Sequence, residues 1–86
     1  MLMHTFNSSQ ALLKFSHRIN KEDHVLFIED GVYCINKSIE IDCIRLMALQ
    51  EDCQLRGIVP PKSVELISYP EWVQICTEAD NHLSWY

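Results

Sequence analysis

The clearest hydrophobic signal in the chain is His24-Val25-Leu26-Phe27-Ile28, where four consecutive large apolar residues, two of them β-branched, precede Glu29-Asp30-Gly31. An unbroken apolar run of this length reads as a strand buried on both faces, and the acid-acid-Gly that follows ends it. Such a strand belongs in the middle of a sheet. Upstream, residues 2–6 form a short apolar segment with one His, followed by Asn7-Ser8-Ser9-Gln10. Asn7 or Ser8 can cap a helix there, with Gln10 three residues after Asn7 as in a capping box. Leu12, Phe15 and Ile19 then fall at i, i+3 and i+7, with Lys14, His17 and Arg18 on other faces. This spacing predicts an amphipathic helix with its apolar stripe on the sheet. Asn20-Lys21-Glu22-Asp23 closes it and completes a β-α-β unit, for which a right-handed crossover is expected.

Beyond Gly31, a short helix is predicted from Val32-Tyr33-Cys34-Ile35, closed by Asn36-Lys37-Ser38. Ile39, Ile41 and Cys43 alternate with Glu40 and Asp42, which suits an edge-like extension or a half-buried loop. Residues 44–49 read as a third strand. Residues 50–57 read as two helical turns, with Glu51 and Asp52 in the first, Arg56 in the last and Gly57 where a left-handed cap is wanted. Pro60-Pro61 leads rigidly into a fourth strand over 64–68, and Pro70 followed by Glu71 opens the last helix. Trp72, Cys76, Ala79 and Leu83 fall at i, i+4, i+7 and i+11, which puts Cys76 on a buried stripe. Trp85 and Tyr86 are costly to leave wet and are expected to dock on this subunit or a neighbour. Four strands alternating with helices predict an α/β class with a mainly parallel four-stranded sheet covered on both faces. Two edge strands for two interior ones, in one small domain spanning 1–86, favour assembly with other chains.

Composition narrows the function classes. The chain has 86 residues, is 48% hydrophobic and contains only 2 Gly and 3 Pro, the balance of a globular domain and not of a tail. Its net charge of −5, with only 7 scattered Lys and Arg, argues against direct nucleic-acid binding and against an anionic membrane surface. No apolar run approaches the roughly 18 residues of a membrane span. The N-terminus lacks the basic region, apolar core and small-residue site of a secretory signal, so a cytoplasmic location is expected. The cysteines, at 34, 43, 53 and 76, contain no C-x-x-C and read as core thiols. The histidines, at 4, 17, 24 and 82, make no i,i+3 or i,i+4 pair, so spacing predicts no metal site. Two glycines cannot build a dinucleotide or phosphate loop, and no cofactor is expected. Nothing resembles a G-x-S-x-G elbow either.

In a parallel sheet, ligands and partners meet the protein beyond the carboxyl ends of the strands, which directs attention to Glu29, Asp30, Gly31 and Tyr33. Adjacent residues on extended backbone point to opposite faces, so Glu29 and Asp30 do not make a carboxylate pair, and Asp30 reads better as a cap for the following turn. Cys34 and Cys53 are the candidates for a reactive thiol. Each would lie near the start of a helix, where the dipole favours thiolate, and each is opposed by neighbouring acids.

Five stretches taken in order carry a family resemblance: Met3-His4-Thr5, residues 26–33, residues 48–57, Ile67-Ser68-Tyr69-Pro70-Glu71-Trp72-Val73, and Trp85. Together they resemble the TusB/DsrH family of small sulfur-relay subunits over essentially the whole chain. The resemblance implies a three-layer α/β/α sandwich of the DsrEFH-like type. It also implies a heterohexamer, built from two copies each of this chain, a TusC/DsrF-like sister and a TusD/DsrE-like sister, that exchanges persulfide sulfur with small carrier proteins and serves 2-thiolation of the tRNA wobble uridine. In that scheme the relay cysteine belongs to the D-type sister, and this chain is a non-catalytic interaction subunit. Asp30, Gly31, Tyr33, Trp85 and Tyr86 are its interface candidates. The alternatives are a sulfur carrier with its own persulfide on Cys34 or Cys53, or a subunit of a sulfur-oxidation complex. Some DsrH-type members carry a cysteine in the first helix, where this chain has Ala11-Leu12-Leu13-Lys14.

Overall fold

The computed structural model describes residues 2–36 and 41–85. Five strands form one parallel sheet in the order β4-β3-β2-β1-β5: β1 is Leu2–Phe6, β2 His24–Phe27, β3 Arg45–Leu49, β4 Glu65–Ile67 and β5 Asn81–Trp85. The apolar run at 24–28 is therefore the central strand, with Val25, Leu26 and Phe27 at most 1% exposed. The sheet has five strands and not the expected four. The fifth is the terminal segment, whose alternation of His82 and Ser84 with Leu83 and Trp85 suits a strand. Leu83 also happens to fall on the helical spacing of Trp72, Cys76 and Ala79, so the two periods compete. The helix ends earlier, at Glu78, where the Ala79 backbone turns extended (φ −73, ψ 135).

The strand order determines the layers. From β1 to β4 each step moves the same way across the sheet, so right-handed crossovers put all three connections on one face. These hold α1 (Ser9–Phe15) with a 3-10 turn after it (Ser16–Arg18), a longer 3-10 helix (Glu29–Asn36) and α2 (Gln50–Leu55). The step from β4 to β5 runs back across the whole sheet, so α3 (Tyr69–Glu78) falls on the opposite face. Two cores result. Phe6, Val25, Phe27 and Ala48 meet Ala11, Leu12, Val32, Cys34 and Cys53 under the layer made by those three connections. Met3, Leu26, Met47, Leu49 and Ile67 meet Ile75, with Trp72, Cys76 and Ala79 packed against them, under α3.

Local signals explain the element ends. Ser8 caps α1 by accepting the Ala11 N–H at 3.1 Å, so Ser8 takes the role and not Asn7. Ser68 and Glu71 form a reciprocal capping box on α3, with Pro70 in its first turn. Gly57 closes α2 at φ +65, as its position after Arg56 predicts. The three-residue edge strand β4 is held by a two-pronged Arg45–Glu65 ion pair at 2.6 and 2.8 Å. The segment after Gly31 is a 3-10 helix, and the expectations placed on Lys37, Ser38, Ile39 and Glu40 lie outside the described residues.

Candidate functional site

Glu29, Asp30 and Gly31 sit where β2 delivers the chain to the 3-10 helix, and each is committed to structure. Gly31 lies against β1: a Cβ there would stand 2.3 Å from the carbonyl oxygen of Phe6, the same oxygen that accepts the Ile28 N–H. Only glycine fits. Glu29 takes a left-handed conformation, φ 50, and donates its N–H to Asp52 Oδ2 at 2.7 Å. Asp30 Oδ1 accepts from Arg56 Nε at 3.0 Å, while Arg56 Nη1 lies 3.6 Å from Asp52 Oδ1. Arg56 thus bridges the acids that follow β2 and the acids of α2. This exposed latch ties the two strand ends together.

The two candidate thiols lie beneath the latch. Cys34 and Cys53 are each 1% exposed in the first core. Burial, then the neighbouring Asp52, pushes the Cys53 thiol above its ordinary value despite Arg56. Neither is presented to an incoming sulfur donor. Tyr33 points outward at 46% exposure, on the same layer as Leu13 (79%) and Leu55 (79%), with Val59 (83%) just beyond α2. Side chains this apolar and this exposed on one layer offer a surface for a partner.

Trp85 does not project from the molecule. Its indole stacks on Phe15 at 4.4 Å between centroids, lies beneath the Arg18 guanidinium and donates from Nε1 to His4 Nδ1 at 2.9 Å. An indole N–H can only donate, so Nδ1 is the acceptor, and His4 Nε2 carries the proton given to Asp23 Oδ2 at 2.8 Å. Burial would raise the Asp23 carboxyl, but the Asn20 N–H and the His4 ring outweigh it and hold the carboxyl below the usual range. This buried chain fastens β5 to β1. Tyr86 lies outside the described residues.

One pair escaped sequence reasoning. Cys76 is half-buried on α3, with Sγ 3.9 Å from Nδ1 of His82 on β5, whose Nε2 lies 2.8 Å from Thr5 Oγ1. A separation of six residues across a helix end and a strand is no recognisable motif, so only the parallel docking of β5 reveals it. Among the described residues no group of three or more His, Cys, Asp or Glu is placed to hold a metal ion, and no helix is long and apolar enough to cross a membrane.

A family model described as DsrH like protein matches residues 6–82, which takes in β2, β3, β4 and every helix but only the last residue of β1 and the first two of β5. The chain belongs to the DsrH-like family. This makes it a sulfur-relay-type subunit, in agreement with the resemblance carried by its ordered motifs. The DsrH-like chain also shares its fold with the ychN protein from E. coli, whose crystal structure superposes with a TM-score of 0.67 at 12% identity, covering 96% of each chain. That likeness concerns the fold alone. No curated protein matches the chain significantly.

Proposed function

We propose that this DsrH-like chain is a non-catalytic interaction subunit of a cytoplasmic sulfur-relay assembly. In this reading it joins TusC/DsrF-like and TusD/DsrE-like sister subunits, and a sister's cysteine receives persulfide sulfur bound for the 2-thio group of the tRNA wobble uridine. Family membership supports the sulfur-relay class. The observation that carries the accessory role is the contrast at the carboxyl ends of the strands: both thiols there are 1% exposed, while Leu13, Leu55 and Val59 on the covering layer are 79–83% exposed. Apolar side chains left in water at such a position stabilise an interface when a partner covers them. The tRNA role is preferred to sulfur oxidation because α1, Ser9–Phe15, contains no cysteine. The chain's net charge of −5 fits a subunit that leaves contact with RNA to others.

Placing a charge on the apolar layer tests the reading. Leu55→Asp and Val59→Asp, both at sites that carry no core packing, are expected to weaken co-purification with the sister subunits by roughly tenfold or more, the effect of losing a well-buried interface residue. Unchanged assembly by these variants and by Leu13→Asp would remove this face as the interface.

A further inference from the structure

The face opposite the latch holds a thiol arranged differently from Cys34 and Cys53. Along α3, Tyr69, Trp72, Val73, Cys76 and Thr77 fall at i, i+3, i+4, i+7 and i+8 and line a shallow, largely apolar groove of about 430 Å³. Ile75 faces the sheet with Trp72 and Cys76 packed beside it, so the groove runs along the border of the core-facing stripe, with Tyr69 55% and Val73 58% exposed. Cys76 stands in the groove wall where it meets β5. On its other side is the His82 imidazole, and His82 is in turn fixed by the fully buried Thr5. If Nε2–H donates to Thr5 Oγ1, Nδ1 presents its lone pair to the thiol. This is the order of nucleophile, base and orienting group that activates a cysteine.

A second observation points to an anionic sulfur in the same place. The indole Nε1 of Trp72, which lines the groove, is buried and has no acceptor among the described residues. A buried donor left without a partner is costly. Burial pushes the Cys76 thiol up, and the Trp72 N–H acts against it by favouring the charged sulfur. That N–H gains an acceptor when Cys76 ionises or carries an anionic persulfide.

We propose that Cys76 accepts sulfane sulfur from a persulfide in the α3 groove, with His82 as its base and Thr5 positioning the imidazole. The thiol proton passes to His82 Nδ1, and the thiolate attacks the outer sulfur of R–S–S–H. As the new S–S bond forms, the old one breaks and its electron pair leaves on R–S⁻, which takes the proton back from His82. One thiol and one persulfide become one persulfide and one thiol, so no oxidant or reductant is consumed. The groove takes the apolar surroundings of the donor sulfur. The inference rests on the sulfur-relay reading but gives this subunit a sulfur station of its own, distinct from the sister's.

The test treats the full chain with glutathione persulfide and follows the mass of each cysteine peptide. Cys76 should gain one sulfur atom while Cys34 and Cys53 do not. His82→Gln should slow loading at neutral pH by about a hundredfold or more, the scale of a lost general base. At a pH high enough to ionise the thiol unaided the deficit should close, which a merely structural role for His82 would not produce. Loading confined to Cys43, loading of no cysteine in the unsubstituted chain, or loading of Cys76 indifferent to His82→Gln at neutral pH would each overturn the proposal. Cys76→Ser should lose the sulfur and still assemble with the sister subunits. Failure of the unsubstituted chain to assemble would instead count against the accessory-subunit reading.

Discussion

Position 31 shows how one residue can set the meeting of two strands. Gly31→Ala would bring a methyl group to 2.3 Å from a backbone oxygen that cannot swing aside. A cost of about 3 kcal/mol is expected, at the upper end of overpacking in a filled site, visible as a lower denaturant midpoint. The sequence pointed to Gly31 as a turn and functional position, but its close approach to Phe6 depends on how β1 and β2 pair. A second residue-scale effect is electrostatic. His24 has a buried Nδ1 without a partner, and burial, followed by the Arg45 charge beside it, holds its imidazole below the ordinary value of 6.5. The unfolded chain therefore binds this proton first. The stabilising contribution of neutral His24 is complete above about pH 6.5 and declines as pH falls through the depressed folded value. Urea midpoints should be lower at pH 5.5 than at pH 8, and His24→Gln should flatten that difference. Asp23, also depressed, adds a further loss only under stronger acid, below its ordinary 3.8.

At the scale of elements, β5 carries the largest consequence. It lies at one edge of the sheet, and its attachment runs through Trp85 to His4 and Asp23 in the interior. Trp85→Ala should cost about 2–3 kcal/mol, since it removes both the stacking on Phe15 and the partner of a buried imidazole. Trp85→Phe keeps the packing and should cost about 1 kcal/mol, so a thermal melt of the two variants separates ring from hydrogen bond. The elements most legible in the sequence were those whose local chemistry and burial agree. The central strand read as a continuous apolar run, and α2 displayed its acids, Arg56 and Gly57 in the expected places. Less legible were elements decided by long-range pairing. β5 is a strand because β1 offers it an unpaired edge, and Leu83 satisfied a helical period equally well. The Cys76–His82 pair was hidden for the same reason, since its two halves sit on elements whose juxtaposition only the sheet order supplies.

At the scale of the molecule, strand order places the short helices of three connections on one face and the longer helix α3 on the other, so the two faces are unequal. The first seals Cys34 and Cys53 and exposes Leu13, Leu55 and Val59; the second keeps Cys76 half-buried in an open groove. A small chain with apolar side chains in water on both helical layers would gain stability from any association that covers them. The proposed function assigns that cover to related sister subunits. The native mass of the chain, taken alone and after co-expression with the TusC/DsrF-like and TusD/DsrE-like proteins of the same genome, tests it most directly. The account predicts a one-to-one-to-one assembly that doubles to a hexamer. A chain that ignores both sisters and forms only copies of itself would contradict it.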